Sequence, residues 1–363
     1  MRVLLVRPAA SGGLAAHVDQ ELALLAGAGR RVAEAPVRIR ERPSPRHDAA
    51  TVAALRRIVA GAGEPVAVHA HGLRAGALAA LAVPRRGGHR LVVTLHNRTV
   101  GGGLTRGIGA ALLRLLARRA DTVLAVSPDL AEDARRAGAR DVRHAVVPAP
   151  GRPTDRTTGR ERDTARDARK DSERPATMSS ATTAPAAGTP ELLTVLVVAR
   201  LAPQKGLHDL LDAAALLRGE GMRILVAGDG PLEAELSARI TAEHLPVELL
   251  GRRGDVPDLL DRADLVLSAA RWEGQPVALQ EALLAGRAIV ATDAGGTRWV
   301  TGTAAHLVPV GDPAALAEAV LRLRDPLERG RAEAASRRRA RELPRAGDLL
   351  AQLDEVLAPA PRR

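Results

Sequence analysis

The residues best placed to do chemistry lie in one stretch, Trp272-Glu273-Gly274-Gln275-Pro276-Val277-Ala278-Leu279-Gln280-Glu281-Ala282-Leu283-Leu284-Ala285-Gly286. Proline suits the first turn of a helix, an apolar-rich run follows Pro276, and Gly286 closes it. Glu273 therefore falls in the loop before a helix and Glu281 inside it. A helix N-terminus is a positive end that draws anions, so a ligand that needs a carboxylate on either side of that end is unusual. Upstream, Arg200-Leu201-Ala202-Pro203-Gln204-Lys205-Gly206 sets two cations five residues apart on a loop after an apolar run. Arginine offers a bidentate fork and lysine a compact charge, a pair that can hold a diphosphate. Taken singly, each of these residues also reads as a solvated loop or helix charge.

Composition sharpens the choice. Lys plus Arg is 53 against 42 Asp plus Glu, a net charge of +11, with a pI near 11.3. Such a balance suits nucleic acid, an anionic membrane surface or phosphate-bearing ligands. Nucleic acid fits worst, because Phe and Tyr are both absent and stacking platforms for bases are nearly lacking. Without cysteine there is no disulfide, thiol or zinc–thiolate chemistry. The chain has two lysines, Lys170 and Lys205, one asparagine, Asn97, and two tryptophans, Trp272 and Trp299. Lys170 sits in a polar stretch, so Lys205 is the lysine of the foldable part. The apolar run at the start is too short for a signal peptide, and no run reaches the length of a membrane span. The expectation is a cytoplasmic protein, with the inner face of the membrane as the other option.

The elements that must position these residues follow from short apolar runs. Arg2–Val6, Val66–His71, Leu91–His96 and Thr122–Ser127 read as buried strands, with a helix from Leu14 to Ala28 ended by Gly29. The pattern restarts with strands at Leu193–Val198, Arg223–Ala227, Val247–Leu250, Leu265–Leu267 and Ala288–Ala291. Strands alternating with helices indicate parallel, doubly wound sheets, that is, two Rossmann-like α/β domains. Residues 151–190 are polar and aperiodic and read as a disordered linker. The expected organisation is 1–150, the linker 151–190, a second domain 191–342, and a terminal helix over 343–363. Open α/β sheets bind ligands at strand C-terminal ends, which puts a cleft between the domains. Gly228 and Gly230, in the turn Ala227–Pro231, let the backbone approach a ligand there, as do Gly12 and Gly13 after the first strand. None of these glycines forms a GxGxxG fingerprint with the expected downstream acid, which argues against a dehydrogenase.

Taken in order, ARLAPQKG, VAGDGP, LGRRGDVPDLLDRADLVLSA, EGQPVALQEALLAG, ATDAGG and LVPVGDPAALAEAV resemble the family 4 retaining glycosyltransferases of the GT-B fold. SGGLAAHVDQELALL, VHAHG, VTLHN and AVSPDL resemble that family's acceptor domain, so the likeness covers nearly the whole chain outside the linker. The resemblance implies a nucleotide-diphosphate-sugar donor and no dissociable cofactor or metal. Glu281 matches the acid that receives the ribose hydroxyls, and Glu273 the acid that faces the donor sugar. Backbone N–H groups from Gln275 through Pro276 to Val277 would meet the phosphates, with Arg252 among the donor residues. Arg200 and Lys205 would stabilise the leaving diphosphate. His96 matches the histidine near the donor sugar, with His69 and His71 as second choices.

The chain departs from the family at several points. Gln275-Pro276 stands where an aromatic is common, Thr297-Arg298-Trp299 where an acid follows the double glycine, and Val147-Pro148-Ala149-Pro150 where Pro-Asn-Gly usually closes the first domain. A Leu-rich stretch from Ala111 to Arg119, carrying Arg114, Arg118 and Arg119, reads either as an ordinary domain helix or as a face for anionic membrane. Arg337-Arg338-Arg339 and Arg341 either add to a basic surface or line a solvated helix. The acceptor stays open, with a lipid or cell-envelope glycan the favoured class. A non-catalytic nucleotide-sugar-binding partner subunit is the competing reading.

Overall fold

The computed structural model describes residues 1–9, 13–40, 44–98, 102–149 and 192–359; Gly12 and the stretch 151–190 lie outside them. The first sheet is wholly parallel. It consists of β1 (Arg2–Val6), β2 (Val32–Glu34), β3 (Val66–His71), β4 (Arg90–Leu95), β5 (Thr122–Ala125) and β6 (Val142–His144), in the order β2-β1-β3-β4-β5-β6. Its inner strands are buried on both faces, as strands sandwiched between helices must be. Helices α1 (Gly13–Gly27), α2 (Pro45–Ala60), α3 (Leu73–Ala82), α4 (Gly103–Ala117) and α5 (Pro128–Arg136) cover it.

The second sheet has β7 (Leu193–Val198), β8 (Met222–Ala227), β9 (Val247–Gly251), β10 (Leu265–Ser268), β11 (Ala288–Thr292) and β12 (His306–Val308), in the order β12-β11-β10-β7-β8-β9. Its helices are α6 (Leu207–Leu216), α7 (Glu233–Ala242), α8 (Val256–Arg262), α9 (Val277–Leu284), α10 (Thr297–Thr301), α11 (Pro313–Arg322) and α12 (Pro326–Ala340). The last helix, α13 (Ala346–Leu357), crosses back. Its Leu349, Leu353, Val356 and Leu357 are buried in the core of the first domain, and Arg143 Nη1 pairs with Glu355 at 2.6 Å. The fold is thus two Rossmann-like domains that face each other across a cleft.

Strand order locates that cleft. In each sheet the order in which strands are added reverses once, between β1 and β3 in the first and between β7 and β10 in the second. Loops that leave the strands on either side of such a reversal splay apart and leave a crevice. In the second domain those loops are Ala199–Gly206 and Ala269–Pro276, which carry Arg200, Lys205 and Glu273.

The segment that leaves the first domain is held by two glutamines. Gln280 on α9, fully buried, accepts from Ala149 N at 3.0 Å and donates to the Val147 carbonyl at 2.8 Å. Gln352 on α13 does the same with Val146 N and the His144 carbonyl, at 2.9 and 2.7 Å. Backbone polar groups between elements thereby find partners without a strand neighbour.

Candidate active site

The cleft encloses about 680 Å³ and is lined from both domains. Gly13, His96 and Asn97 come from the first, and Arg200, Lys205, Gly228, Arg252, Glu273, Gln275, Pro276 and Val277 from the second. A hollow of about 590 Å³ beside α2 and α3 holds none of the candidate residues.

Two loops are fastened to each other before any ligand is considered. Arg271 N donates to the Gln204 carbonyl at 2.9 Å, and the Arg271 guanidinium forks onto Asp209 of α6 at 2.9 and 3.0 Å. Gly296 N holds the Glu273 carbonyl at 2.9 Å from the far side. Held this way, Lys205 Nζ meets Glu273 Oε1 at 2.5 Å, with both side chains largely buried. Arg200 and Arg252 are exposed on the cleft wall, and neither pairs with a described acid.

Gly228 and Gly230 are needed for close packing of two loops. Both have positive φ, and a Cβ at Gly228 would lie 1.9 Å from the Ala199 carbonyl oxygen, one at Gly230 2.5 Å from that of Leu201. The glycines let the turn after β8 press against the loop that carries Arg200. Gly230 does not line the cleft, whereas Gly228 does.

Helix α9 starts at Val277, with Pro276 as its N-cap and no side-chain cap. Proline has no backbone N–H, so Pro276 is no donor to a phosphate. The open donors of the first turn are those of Val277 and Ala278, which reach no described acceptor. The Gln275 side chain turns to the first domain instead, where it bonds the Ala145 carbonyl and lies 2.9 Å from His144 Nε2. Glu281 sits one turn further into α9, half-buried and outside the cleft lining. Burial pushes its carboxyl pKa above the usual range, and no described residue donates to it.

The histidines separate by depth. His96 is partly exposed on the cleft floor, while His69 and His71 are fully buried behind it. His71 Nδ1 lies 3.1 Å from His96 Nε2, and His69 Nε2 lies 2.7 Å from Thr94 Oγ1. Two residues of α1 that the sequence reading does not single out complete the group. His17 Nε2 meets Glu21 Oε1 at 2.9 Å, and Glu21 Oε2 lies 3.1 Å from His69 Nδ1 and 3.2 Å from His71 Nε2. Burial alone would raise the Glu21 carboxyl, but the facing His69, His71 and His17 prevail and hold it well below the usual range. Burial pushes His71 down to about 4 despite Glu21, and burial with His71 beside it pushes His96 well below its ordinary value.

The comparisons decide the family. Residues 1–150 match the family described as glycosyl transferase 4-like domain, and residues 193–325 match that described as glycosyl transferases group 1. The chain belongs to the family 4 glycosyltransferases of the GT-B fold. Among its relatives is the alpha-D-kanosaminyltransferase of Streptomyces kanamyceticus, 32% identical over 139 residues, or 36% of each chain. The amylovoran biosynthesis glycosyltransferase AmsK of Erwinia amylovora is 34% identical over 145 residues, again 36% of each. The match thus spans about a third of the length of either relative. Among solved structures, Anabaena HepE in complex with UDP shares the fold with a TM-score of 0.71 at 20% identity, covering 99% of this chain and 100% of that one.

Both tryptophans join the domains. Trp272 lines the cleft and donates Nε1–H to Asp129 Oδ2 of the first domain at 2.8 Å. Trp299 packs against His144 with the rings tilted by 59° and 4.0 Å between centroids, and is not part of the cleft lining. The basic run on α12 is largely occupied: Arg339 holds the carbonyls of Val300 and Trp299 at 2.9 and 2.8 Å, and Arg337 lies 3.6 Å from Glu333. No helix among the described residues is long and apolar enough to cross a membrane.

Proposed function

We propose that this glycosyltransferase moves a sugar from a nucleotide-diphosphate donor to a lipid-linked or cell-envelope glycan acceptor, with retention of the anomeric configuration and without a metal at the diphosphate. The observation that carries the reading is the convergence of Arg200, Lys205, Arg252 and the open first-turn N–H groups of α9 on the cleft wall that also holds Glu273. Cations and fixed N–H groups aimed at a diphosphate favour the charge that gathers on it as the bond to the sugar breaks. The sugar becomes oxocarbenium-like. The acceptor hydroxyl forms its new bond on the face the diphosphate leaves, and its proton passes to a departing phosphate oxygen. Glu273 faces the sugar, His96 approaches it from the other domain, and Glu281 takes the ribose hydroxyls.

Lys205 and Glu273 hold each other on the cleft wall. A bound diphosphate competes for Lys205 and frees Glu273 to face the sugar, so ligand entry itself arms the site. Amylovoran biosynthesis, named for one relative, supports a glycan acceptor. For contact with anionic membrane the support is α4, on which Leu104, Ile108, Arg106 and Arg114 are all exposed.

The test is incubation with UDP-, GDP- and ADP-sugars and detection of released nucleotide and transferred or hydrolysed sugar. One donor should turn over, and Glu273→Gln should abolish turnover while nucleotide binding persists. A protein that binds one nucleotide but turns over none, with Glu273→Gln indistinguishable from the parent, would instead be the non-catalytic partner subunit.

A further inference from the structure

Behind the cleft floor, the first domain encloses a group of ligating atoms that the donor chemistry does not use. His17 and Glu21 stand one turn apart on the same face of α1, and His71 ends β3 opposite them. One nitrogen of each histidine and a carboxylate oxygen of Glu21 all lie within 4.8 Å of one another. The group is buried, with His17 5%, Glu21 1% and His71 0% exposed, and of the three only His17 borders the cleft. Glu21 Oε2, His71 Nε2, His69 Nδ1 and His17 Nδ1 are buried without a hydrogen-bonding partner among the described residues. The short approaches of Glu21 Oε2 to His69 and His71 are therefore contacts off the line of a hydrogen bond.

We propose that His17, Glu21 and His71 form a binding site for a divalent transition-metal ion of the zinc class, separate from the donor site. Two imidazoles and a carboxylate are a known ligand set for zinc, which leaves a fourth position for water. Oxygen-seeking calcium and magnesium do not suit two nitrogens. Bonds of about 2.0–2.1 Å in a tetrahedron set neighbouring ligand atoms roughly 3.4 Å apart. The pairs here stand at 2.9 Å for His17 Nε2 with Glu21 Oε1 and 3.2 Å for Glu21 Oε2 with His71 Nε2. The third pair, between the two imidazoles, lies within 4.8 Å, so the side chains must adjust to admit the ion.

The surroundings have the form of an outer ligand shell. His69 backs the Glu21 carboxylate at 3.1 Å and is itself held by Thr94. His71 turns its other nitrogen to His96 at 3.1 Å. A metal on His71 Nε2 leaves the ring proton on Nδ1, which then donates to His96 Nε2. That fixes the hydrogen of neutral His96 on Nδ1. The ion would thus set the tautomer of the cleft-floor histidine without touching the donor. The site itself is independent of the donor reading; only this consequence rests on it.

The test uses the full chain without a polyhistidine tag, stripped with chelator and dialysed against micromolar Zn²⁺, then Co²⁺. The expected result is one ion per chain, visible Co²⁺ absorption of tetrahedral intensity, and a raised Tm. Glu21→Gln and His71→Asn should each weaken binding by roughly a hundredfold or more, by comparison with the 10–100-fold typical of outer-shell changes, and His306→Asn should not. If either variant fails to fold, X-ray absorption at the zinc edge of the parent chain decides, with a nitrogen and oxygen shell containing two imidazoles expected. Substoichiometric zinc, binding unaffected by both substitutions, or a zinc shell without two imidazoles would overturn the site and leave the cluster metal-free.

Discussion

At the scale of residues, the pair Lys205–Glu273 is the hinge of the proposed chemistry. Removing one fixed donor from a site of developing negative charge typically costs about a hundred- to a thousandfold in rate. Lys205→Ala should therefore lower kcat by about that factor, measured as nucleotide release under saturating donor. Glu281 makes a sharper prediction. Its carboxyl is pushed above the ordinary value by burial. A carboxyl with a raised folded pKa binds its proton more readily in the fold than in the unfolded chain, so its cost to stability is full at neutral pH and vanishes as pH falls through the raised value. Glu281→Gln should raise the Tm of the ligand-free protein at pH 7 and weaken nucleotide binding. In the parent chain nucleotide affinity should begin to fall on acidification above pH 4.5, the ordinary carboxyl value. Calorimetric titration at several pH values checks both. That Arg200, Lys205 and Glu273 line one cleft could be read from the sequence because each sits in a loop just after a legible strand or just before a legible helix. Glu21 was not legible. It lies in phase with Val18 and Leu25 on the buried face of α1, and an acid at such a position is the one signal that could have exposed it.

At the scale of elements, long apolar runs announced their strands. β2, β6 and β12 have three residues each and none of those residues is buried, so they offered no run to read. They form because an adjacent strand supplies their hydrogen bonds, information held elsewhere in the chain. The same is true of the segment Val147–Ala149, whose partners are side chains of α9. Truncating Gln280 leaves the Ala149 N–H and the Val147 carbonyl without their partner, a cost of about 1–3 kcal/mol for each buried group so left. Gln280→Ala should lower the urea midpoint accordingly, with little change in m. Helix α4 carries a further expectation. Leu104 is 82% exposed and Ile108 54%. If this face meets the membrane, Leu104→Glu with Ile108→Glu should abolish co-sedimentation with anionic vesicles while leaving Tm unchanged.

At the scale of the whole molecule, two parallel sheets with one reversal each place their open loops face to face, and three contacts join the domains near the mouth: Trp272 with Asp129, Trp299 with His144, and Gln275 with the Ala145 carbonyl. That geometry follows from strand order, which periodicity cannot reveal, although alternation of strands and helices implied the sheets. It also separates the two tryptophans, because Trp272 lines the cleft and Trp299 does not. The most direct measurement is the fluorescence of Trp272 alone, in a Trp299→Leu chain, while UDP, GDP and ADP are titrated. A saturable change with one of the three is expected, accompanied by a rise in Tm, with both lost in Glu281→Ala. Absence of a saturable change and of any Tm rise with all three nucleotides would contradict a nucleotide-diphosphate donor in this cleft.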